Sequence, residues 1–218
     1  EIMFFYALIS AIIVSLISLV GLITLSFKTE KLKLLLIYFI SFSAGALFGD
    51  AFIHLLPEAY KAGGNISLLV LAGILLFFSL EKIICWQHCH LPITKEHVHR
   101  FAYMNLVGDG LHNFIDGLII ASSYLVSFPV GLATTIAVLI HEIPQEIGDF
   151  GILVYSGFSR FKALAINLLT ALTAIFGVMA AFILNLHIQN IQFILVPIAA
   201  GGFIYIAGSD LIPELHKE

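Results

Sequence analysis

Apolar residues in this chain form long runs that are separated by short polar segments. The first run, residues 2–27, contains no charged side chain at all. Each run reaches the length of about 20 mostly apolar residues that a helix needs to cross the hydrocarbon core of a bilayer. The pattern predicts one membrane domain over residues 1–218 with seven spans. These spans are 2–27, 34–59, 66–86, 101–126, 128–155, 163–186 and 191–212.

Composition agrees with a membrane location. Apolar residues make up 60% of the chain and charged residues 11%, with a mean hydropathy of +1.05. A soluble domain of this size would need more charge on its surface. We therefore predict an all-α polytopic membrane protein that is embedded in the lipid bilayer. Nucleic acid is not expected as a partner.

Basic residues predict which way the chain faces. Nine of the ten Lys and Arg residues fall on one side of the predicted spans, and Lys61 alone falls on the other. Because basic loops stay in the cytoplasm, the N-terminus is expected outside. We expect an integral protein of the plasma (inner) membrane, with a cytoplasmic loop at about 87–100.

Ten carboxylate and imidazole side chains lie inside the predicted spans, where a charged group costs several kcal/mol unless it is compensated. No Lys or Arg accompanies them there. A hydrogen bond to a neighbouring helix could explain one such group. A whole cluster of one chemical type indicates instead that protonation, water or a bound cation compensates the charges. The groups are Asp50, His54, Asp109, His112, Asp116, His141, Glu142, Glu146, Asp149 and Asp210.

The densest part of this cluster lies on spans four and five. Residues three or four apart share a helix face, and imidazole, carboxylate and amide groups suit zinc and neighbouring divalent ions. Two such faces could hold one ion or a carboxylate-bridged pair. Pro144 also leaves the carbonyl of Ile140 without its helical donor, and broken helices expose backbone to substrate in transporters. The facing residues are Asp109, His112, Asn113 and Asp116 in span four and His141, Glu142, Gln145, Glu146 and Asp149 in span five.

An internal symmetry relates spans two and seven. The two segments align without a gap, with Ala44 on Ala200 and His54 on Asp210, and spans four and five also match each other. This order predicts an inverted repeat of three, two and three helices, which is a transporter arrangement. The scheme requires an eighth span to partner the third, so we expect a helix that is missing from this sequence.

Two motifs resemble the ZIP family of zinc and iron transporters: residues 112–117, HNFIDG, and residues 141–149, HEIPQEIGD, as in the branch with HEIPxE. The resemblance covers nearly the whole chain. It implies eight helices with both ends outside, elevator-like movement of the metal-carrying bundle, and import of zinc into the cytosol. Asp116 stands where many members have Glu, and Gln145 where His or Glu is common. The metal ligands implied are His112, Asn113, Asp116, His141, Glu142 and Gln145, with Glu146 beside them.

Several alternatives stay open at this point. His54 could line the ion route or make a hydrogen bond between helices, and the loop containing Cys85, Cys89 and four histidines could sense metal or be unselective. HEIPQ is one residue from the H-E-x-x-H motif of zinc proteases, so an intramembrane metalloprotease is one rival to a non-enzymatic carrier. A metal sensor without transport is another. Zinc is the expected substrate, with Fe²⁺, Mn²⁺ or Cd²⁺ as alternatives, and the sequence leaves a homodimer open.

Overall fold

The computed structural model describes the backbone of residues 2–24, 29–86, 95–188 and 190–216. Within these ranges, the side chains at 23–36, 62, 83–104, 155, 210 and 214 fall outside the description. The described residues form helices joined by short turns, and they contain no β-strand. The predicted all-α fold class is therefore confirmed.

Seven helices follow the seven predicted spans, and we number them in chain order. Three are uninterrupted: α3 is Ile66–Trp86, α4 is Lys95–Val126 and α5 is Phe128–Tyr155. The helix α4 begins before the predicted span start at 101, so 95–100 of the expected loop are helical. The other four helices are α1 (2–24), α2 (29–62), α6 (160–187) and α7 (192–215).

Local irregularities divide these four helices. In α1, a 3₁₀ turn at Ile17–Val20 separates Ile2–Leu16 from Gly21–Thr24, and in α6, Leu172 joins Arg160–Ala171 to Thr173–His187. Both α2 and α7 contain a π-helical segment, an uncommon feature that often marks a functional site. The segments are Asp50–Leu55, between Thr29–Gly49 and Leu56–Ala62, and Ile206–Leu211, between Gln192–Tyr205 and Ile212–Leu215.

These two π-helical segments occupy equivalent positions in the gapless alignment of spans two and seven. Asp50 aligns with Ile206 and Leu55 with Leu211. The internal symmetry that the residues suggest therefore also appears in the backbone. The eighth span and its place in the repeat stay predictions.

The helices pack in two groups, α1, α4, α5 and α6 in one and α2, α3 and α7 in the other. Glycines allow the closest crossing in each group. A Cβ atom at Gly117 would collide with the Ala174 carbonyl, and one at Gly177 with the Phe114 carbonyl, so α4 and α6 touch backbone to backbone. Gly73 and Gly201 bring α3 and α7 together in the same way. Small residues at such crossings are typical of membrane helices.

Four described segments are long and apolar enough to cross a membrane: Ile2–Val20, Ile37–Lys61, Arg160–His187 and Gln192–Ser209. The helices α4 and α5, of 32 and 28 residues, carry most of the buried ionisable side chains. Both helices pack on α6 within their own group and also contact the other group, α4 through α7 and α5 through α2. The fold thus surrounds its most polar helices with apolar ones.

Candidate metal site

Four metal-binding side chains meet between α4 and α5. His112 and Asp116 lie on consecutive turns of α4, and His141 and Glu142 are neighbours in α5. One ligand atom from each residue lies within 4.8 Å of the others. Asp116, His141 and Glu142 are buried, whereas the His112 side chain is 17% exposed. The site is therefore reached from the His112 side.

The distances between these atoms match those expected for a zinc site. Metal–ligand distances of about 2.0–2.2 Å in a tetrahedron separate the ligand atoms by about 3.3–3.6 Å. His112 Nε2 lies 3.1 Å from His141 Nε2, 3.5 Å from Asp116 Oδ2 and 3.4 Å from Glu142 Oε1. His141 Nε2 lies 3.2 Å from Asp116 Oδ2 and 3.7 Å from Glu142 Oε1. Five of the six separations among the four atoms thus lie close to the edge length of a coordination tetrahedron.

A backbone contact orients one of the imidazoles. His141 Nδ1 lies 3.2 Å from the carbonyl oxygen of Ala137. A carbonyl can only accept, so Nδ1 carries a hydrogen and donates it. In the neutral ring, Nε2 then presents its lone pair to the site, which is the arrangement that metal-binding histidines commonly have.

The two carboxylates lack hydrogen-bond donors. Within the part of the chain that the structure describes, neither oxygen of Asp116 and neither oxygen of Glu142 accepts a hydrogen bond. Their close contacts to ionisable groups are those with His112 and His141. Two buried carboxylates that share only histidines, with no Lys or Arg among their contacts in the described residues, are costly. A divalent cation among these four residues would remove that cost.

Two further predicted ligands, Asn113 and Glu146, lie next to this group in sequence and make other contacts. Asn113 donates to the backbone and side chain of Asp109, at 3.2 and 2.8 Å, and its own Oδ1 is buried without a partner in the described residues. Glu146 accepts a hydrogen bond from Asn167 of α6. Asn113 keeps a free oxygen near the site, whereas Glu146 is held towards α6.

A cavity of about 430 Å³ extends from the two histidines along α4 and α5. Gln145 and Asp149 line it, and Asp149 accepts a hydrogen bond of 2.7 Å from Asn105. From His112 back to Asn105, and from His141 on to Asp149, the cavity wall covers about 10–12 Å of helix. It runs towards the ends of α4 and α5 that adjoin the predicted basic loops.

Large apolar side chains pack into one buried core cluster next to the site. Leu47 of α2, Val138 of α5 and Phe203 of α7 are fully buried in this cluster. The ring of Phe203 lies 6.1 Å from that of His141. The apolar core therefore contacts the site through Phe203.

The structure does not bring all predicted residues to this site. His54 lies outside the group of four, and its Nδ1 is 3.1 Å from Oδ1 of the buried Asp50 within the π-helical segment of α2. The backbone of Asp210 lies in the π-helical segment of α7, but its side chain is outside the described part. The histidines and cysteines of residues 85–99 also lie outside the described side chains.

The expectation of exposed backbone at Pro144 is wrong. The helix α5 continues through Pro144, and Ser43 of α2 donates a hydrogen bond of 2.8 Å to the Ile140 carbonyl. Ser43 is fully buried at this contact. A side-chain hydroxyl from the other group of helices replaces the missing backbone donor, so the carbonyl is satisfied without a substrate.

Three polar residues near the site were missed by the sequence reasoning. Asn105 continues the stripe of α4 one turn before Asp109, so the same helical spacing could have found it. Asn167 was also detectable, as a lone amide in an apolar span. Ser43 gave no signal, because a serine in a membrane helix commonly bonds only its own backbone.

A family model described as "ZIP Zinc transporter" matches residues 2–100 and, in a second match, residues 87–218. The chain belongs to the ZIP family of zinc transporters. The resemblance carried by the two motifs is therefore confirmed, and the chain is an integral membrane protein with zinc-transporter relatives.

Individual ZIP relatives cover most of the chain. Zinc transporter ZIP13 of Pongo abelii is 38% identical over 199 residues, which is 82% of this chain and 58% of the relative. Zinc transporter zipt-7.1 of Caenorhabditis briggsae is 33% identical, over 84% of this chain and 62% of the relative. ZIP13 of Danio rerio is 34% identical, over 87% and 70%. The chain thus spans about 60% of the length of the first two relatives.

Proposed function

We propose that this chain carries Zn²⁺ across a membrane into the cytosol, with His112, Asp116, His141 and Glu142 as ligands of the transported ion. The observation that carries the proposal is the convergence of their four ligand atoms, five pairs of which lie 3.1 to 3.7 Å apart. The similarity to zinc transporters of other organisms supports it.

The donor set indicates which ions fit. Two imidazoles and two carboxylates suit zinc, while Fe²⁺, Mn²⁺ and Cd²⁺ can use the same ligands. An ion that takes more than four ligands could also use Gln145 and the oxygen of Asn113, because both lie beside the four ligands on the same helices. We therefore propose zinc as the main substrate, with these ions as competitors.

The packing of the helices suggests how the ion is moved. All four ligands lie on α4 and α5, which belong to the group formed with α1 and α6. A rigid-body displacement of this group along α2, α3 and α7 would carry the complete site without breaking it. In the present conformation the cavity leads to the side of the predicted basic loops, so release would be cytosolic.

Asp109, Asp149, Asp50 and His54 are proposed to lie along the ion route. Asp109 and Asp149 line the cavity on its release side. The pair of Asp50 and His54 lies farther along α2, towards the end that is expected outside. We propose that the N-terminus is extracytoplasmic in the plasma (inner) membrane, because the basic residues are distributed in that way.

Zinc uptake into proteoliposomes that contain a zinc-sensitive dye tests the proposal. His112→Ala and Glu142→Ala should each abolish uptake, because each leaves only three of the four ligands. His187→Ala is the matched control, since His187 is exposed at the end of α6. Wild-type uptake by either site variant would contradict the proposal.

The same preparation separates the rival functions. The family assignment favours a carrier over the metalloprotease, and a protease would not require His112 and Asp116 from a second helix. Zinc-dependent peptide cleavage would support the protease, and zinc binding without uptake would support a sensor. A homodimer stays a prediction.

A further inference from the structure

Two basic side chains lie at the turn between α5 and α6. Arg160 begins α6, and Lys162 follows two residues later. Both are exposed, and within the described residues neither forms an ion pair with a carboxylate. The sequence from residue 150 to residue 209 contains no Asp or Glu. The turn therefore carries two positive charges that no acidic residue close in sequence neutralises.

The side chain between these two basic residues is apolar and faces outwards. Phe161 is 82% exposed, and Leu169, Phe176 and Ile183 are the next large apolar side chains that α6 exposes at helical spacing. They recur every seven or eight residues, so they share one face of the helix with Phe161. Residues Arg160–His187 are long and apolar enough to cross a membrane. This exposed face of α6 is therefore a lipid-facing surface.

The length of this face places the basic pair at the level of the lipid headgroups. From Phe161 to Ile183 the helix rises about 33 Å, at about 1.5 Å per residue. The hydrocarbon core of a bilayer is about 30 Å thick. Phe161 thus lies at one boundary of the core, and the long side chains of Arg160 and Lys162 reach the headgroups beside it. The Lys162 ammonium lies 5.0 Å from the ring centre of Phe158, which keeps it at the turn.

We propose that Arg160 and Lys162 bind the headgroup of an anionic phospholipid, while Phe161 inserts among its acyl chains. The basic loops predict that this turn faces the cytoplasm, and anionic lipids are concentrated in the cytoplasmic leaflet. The planar guanidinium of arginine matches two phosphate oxygens at once, and lysine adds a second positive charge. A soluble anion would use the two charges but would leave Phe161 without a partner. The geometry therefore favours a lipid as the source of the phosphate.

A lipid at this turn would contact the group of helices that carries the metal site. The helices α5 and α6 both belong to that group, and α5 supplies His141 and Glu142. The bound headgroup would hold the α5–α6 turn at the membrane surface. This consequence for ion movement rests on the proposed transport function, whereas the binding of the lipid does not.

Fluorescence quenching by brominated lipids tests the site at a single position. Trp86 is the only tryptophan in the chain, so Trp86→Phe combined with Phe161→Trp places one reporter between the two basic residues. The full chain is reconstituted in phosphatidylcholine that contains either brominated phosphatidylserine or brominated phosphatidylcholine. Phosphatidylserine should bind beside the reporter about fivefold or more tightly than phosphatidylcholine. Adding Arg160→Gln and Lys162→Gln should remove this preference.

Two matched controls separate this site from general attraction to the membrane. Leu186→Trp in the Trp86→Phe chain places the reporter at the other end of α6, where residue 186 is 81% exposed, and it should show no preference for phosphatidylserine. Lys61→Gln removes an exposed basic side chain on the opposite side and should leave the preference at position 161 unchanged. Inorganic phosphate, compared with chloride at equal ionic strength, should not abolish that preference either.

Three results would overturn the proposal. They are equal quenching by the two brominated lipids at position 161, a phosphatidylserine preference that survives Arg160→Gln with Lys162→Gln, and loss of the preference to inorganic phosphate. The measurement contains no zinc, so it is independent of transport. A phosphatidylserine preference that depends on the basic pair, in a chain without zinc uptake, would leave the lipid site standing and refute the carrier.

Discussion

Pro144 and Ser43 have opposite effects on the carbonyl group of Ile140: the proline removes its backbone donor, and the serine supplies another. Pro144 has no backbone N–H to offer the Ile140 carbonyl, and Ser43 donates to that carbonyl at 2.8 Å. The Ser43 hydroxyl also lies 2.7 Å from the Phe39 carbonyl in its own helix. The single hydroxyl hydrogen is therefore shared between two carbonyl acceptors. Of these two, the Ile140 carbonyl is the one that has lost its own helical donor.

The cost of removing this hydroxyl can be worked from the contact. Ser43→Ala leaves a buried carbonyl unpaired, which costs about 1–3 kcal/mol. With about 2–4 °C of melting temperature per kcal/mol for a chain of this size, the variant should melt several degrees lower. In a Pro144→Ala background the new N–H of residue 144 serves the Ile140 carbonyl. Ser43→Ala should then cost a few tenths of a kcal/mol, within the scatter of uncoupled sites.

The assay is a double-mutant cycle on thermal unfolding of the purified chain in detergent. Ser41→Ala is the matched control, because the Ser41 hydroxyl bonds only the Ile37 carbonyl of its own helix, at 2.8 Å and exposed. We expect a coupling free energy of about 1–2 kcal/mol between the two sites. An equal effect of Ser43→Ala with proline or alanine at 144 would refute the reasoning.

Three other predictions follow from packing, polar pairing and metal binding. Gly73→Ala should destabilise the chain by about 1–3 kcal/mol, because its Cβ would meet the Ile198 backbone; Gly45→Ala, with nothing within 4 Å, should be nearly neutral in the same melting assay. Asn167→Ala should cost about 1–3 kcal/mol by leaving the buried Glu146 without its donor, and a Glu146→Gln background should reduce that cost; equal losses in both backgrounds would contradict it. Removing metal with a chelator should lower the melting temperature of wild-type chain equilibrated with Zn²⁺, with a shift that grows with zinc concentration, and His141→Ala should remove the shift; a shift that persists in this variant would place the stabilising ion elsewhere.

The length of the apolar runs and the spacing of polar residues predict much of this molecule. Seven runs became seven helices, since only a helix satisfies backbone groups within a bilayer. The positions of His112 and Asp116, one turn apart in α4, follow from helical periodicity. Periodicity within one helix does not determine how α4 is rotated relative to α5. That rotation brings His141 and Glu142 next to His112 and Asp116 and so completes the site.

Contacts between distant parts of the chain account for what the sequence did not reveal. Nothing near Glu146 in sequence indicates that Asn167 binds it, and nothing near Ile140 indicates Ser43. The π-helical segments of α2 and α7 also escaped prediction, because their residues have ordinary helical composition. Each of these features depends on which helices are neighbours, and that is set by tertiary packing.

An anomalous-scattering map from crystals of the full chain soaked with Zn²⁺ tests the central claim most directly. The account predicts one strong peak between α4 and α5, about 2.0–2.2 Å from His112 Nε2, His141 Nε2 and oxygens of Asp116 and Glu142. The peak should disappear in His112→Ala crystals soaked at the same concentration. A zinc peak elsewhere in the membrane domain, with none among these four residues, would contradict the account.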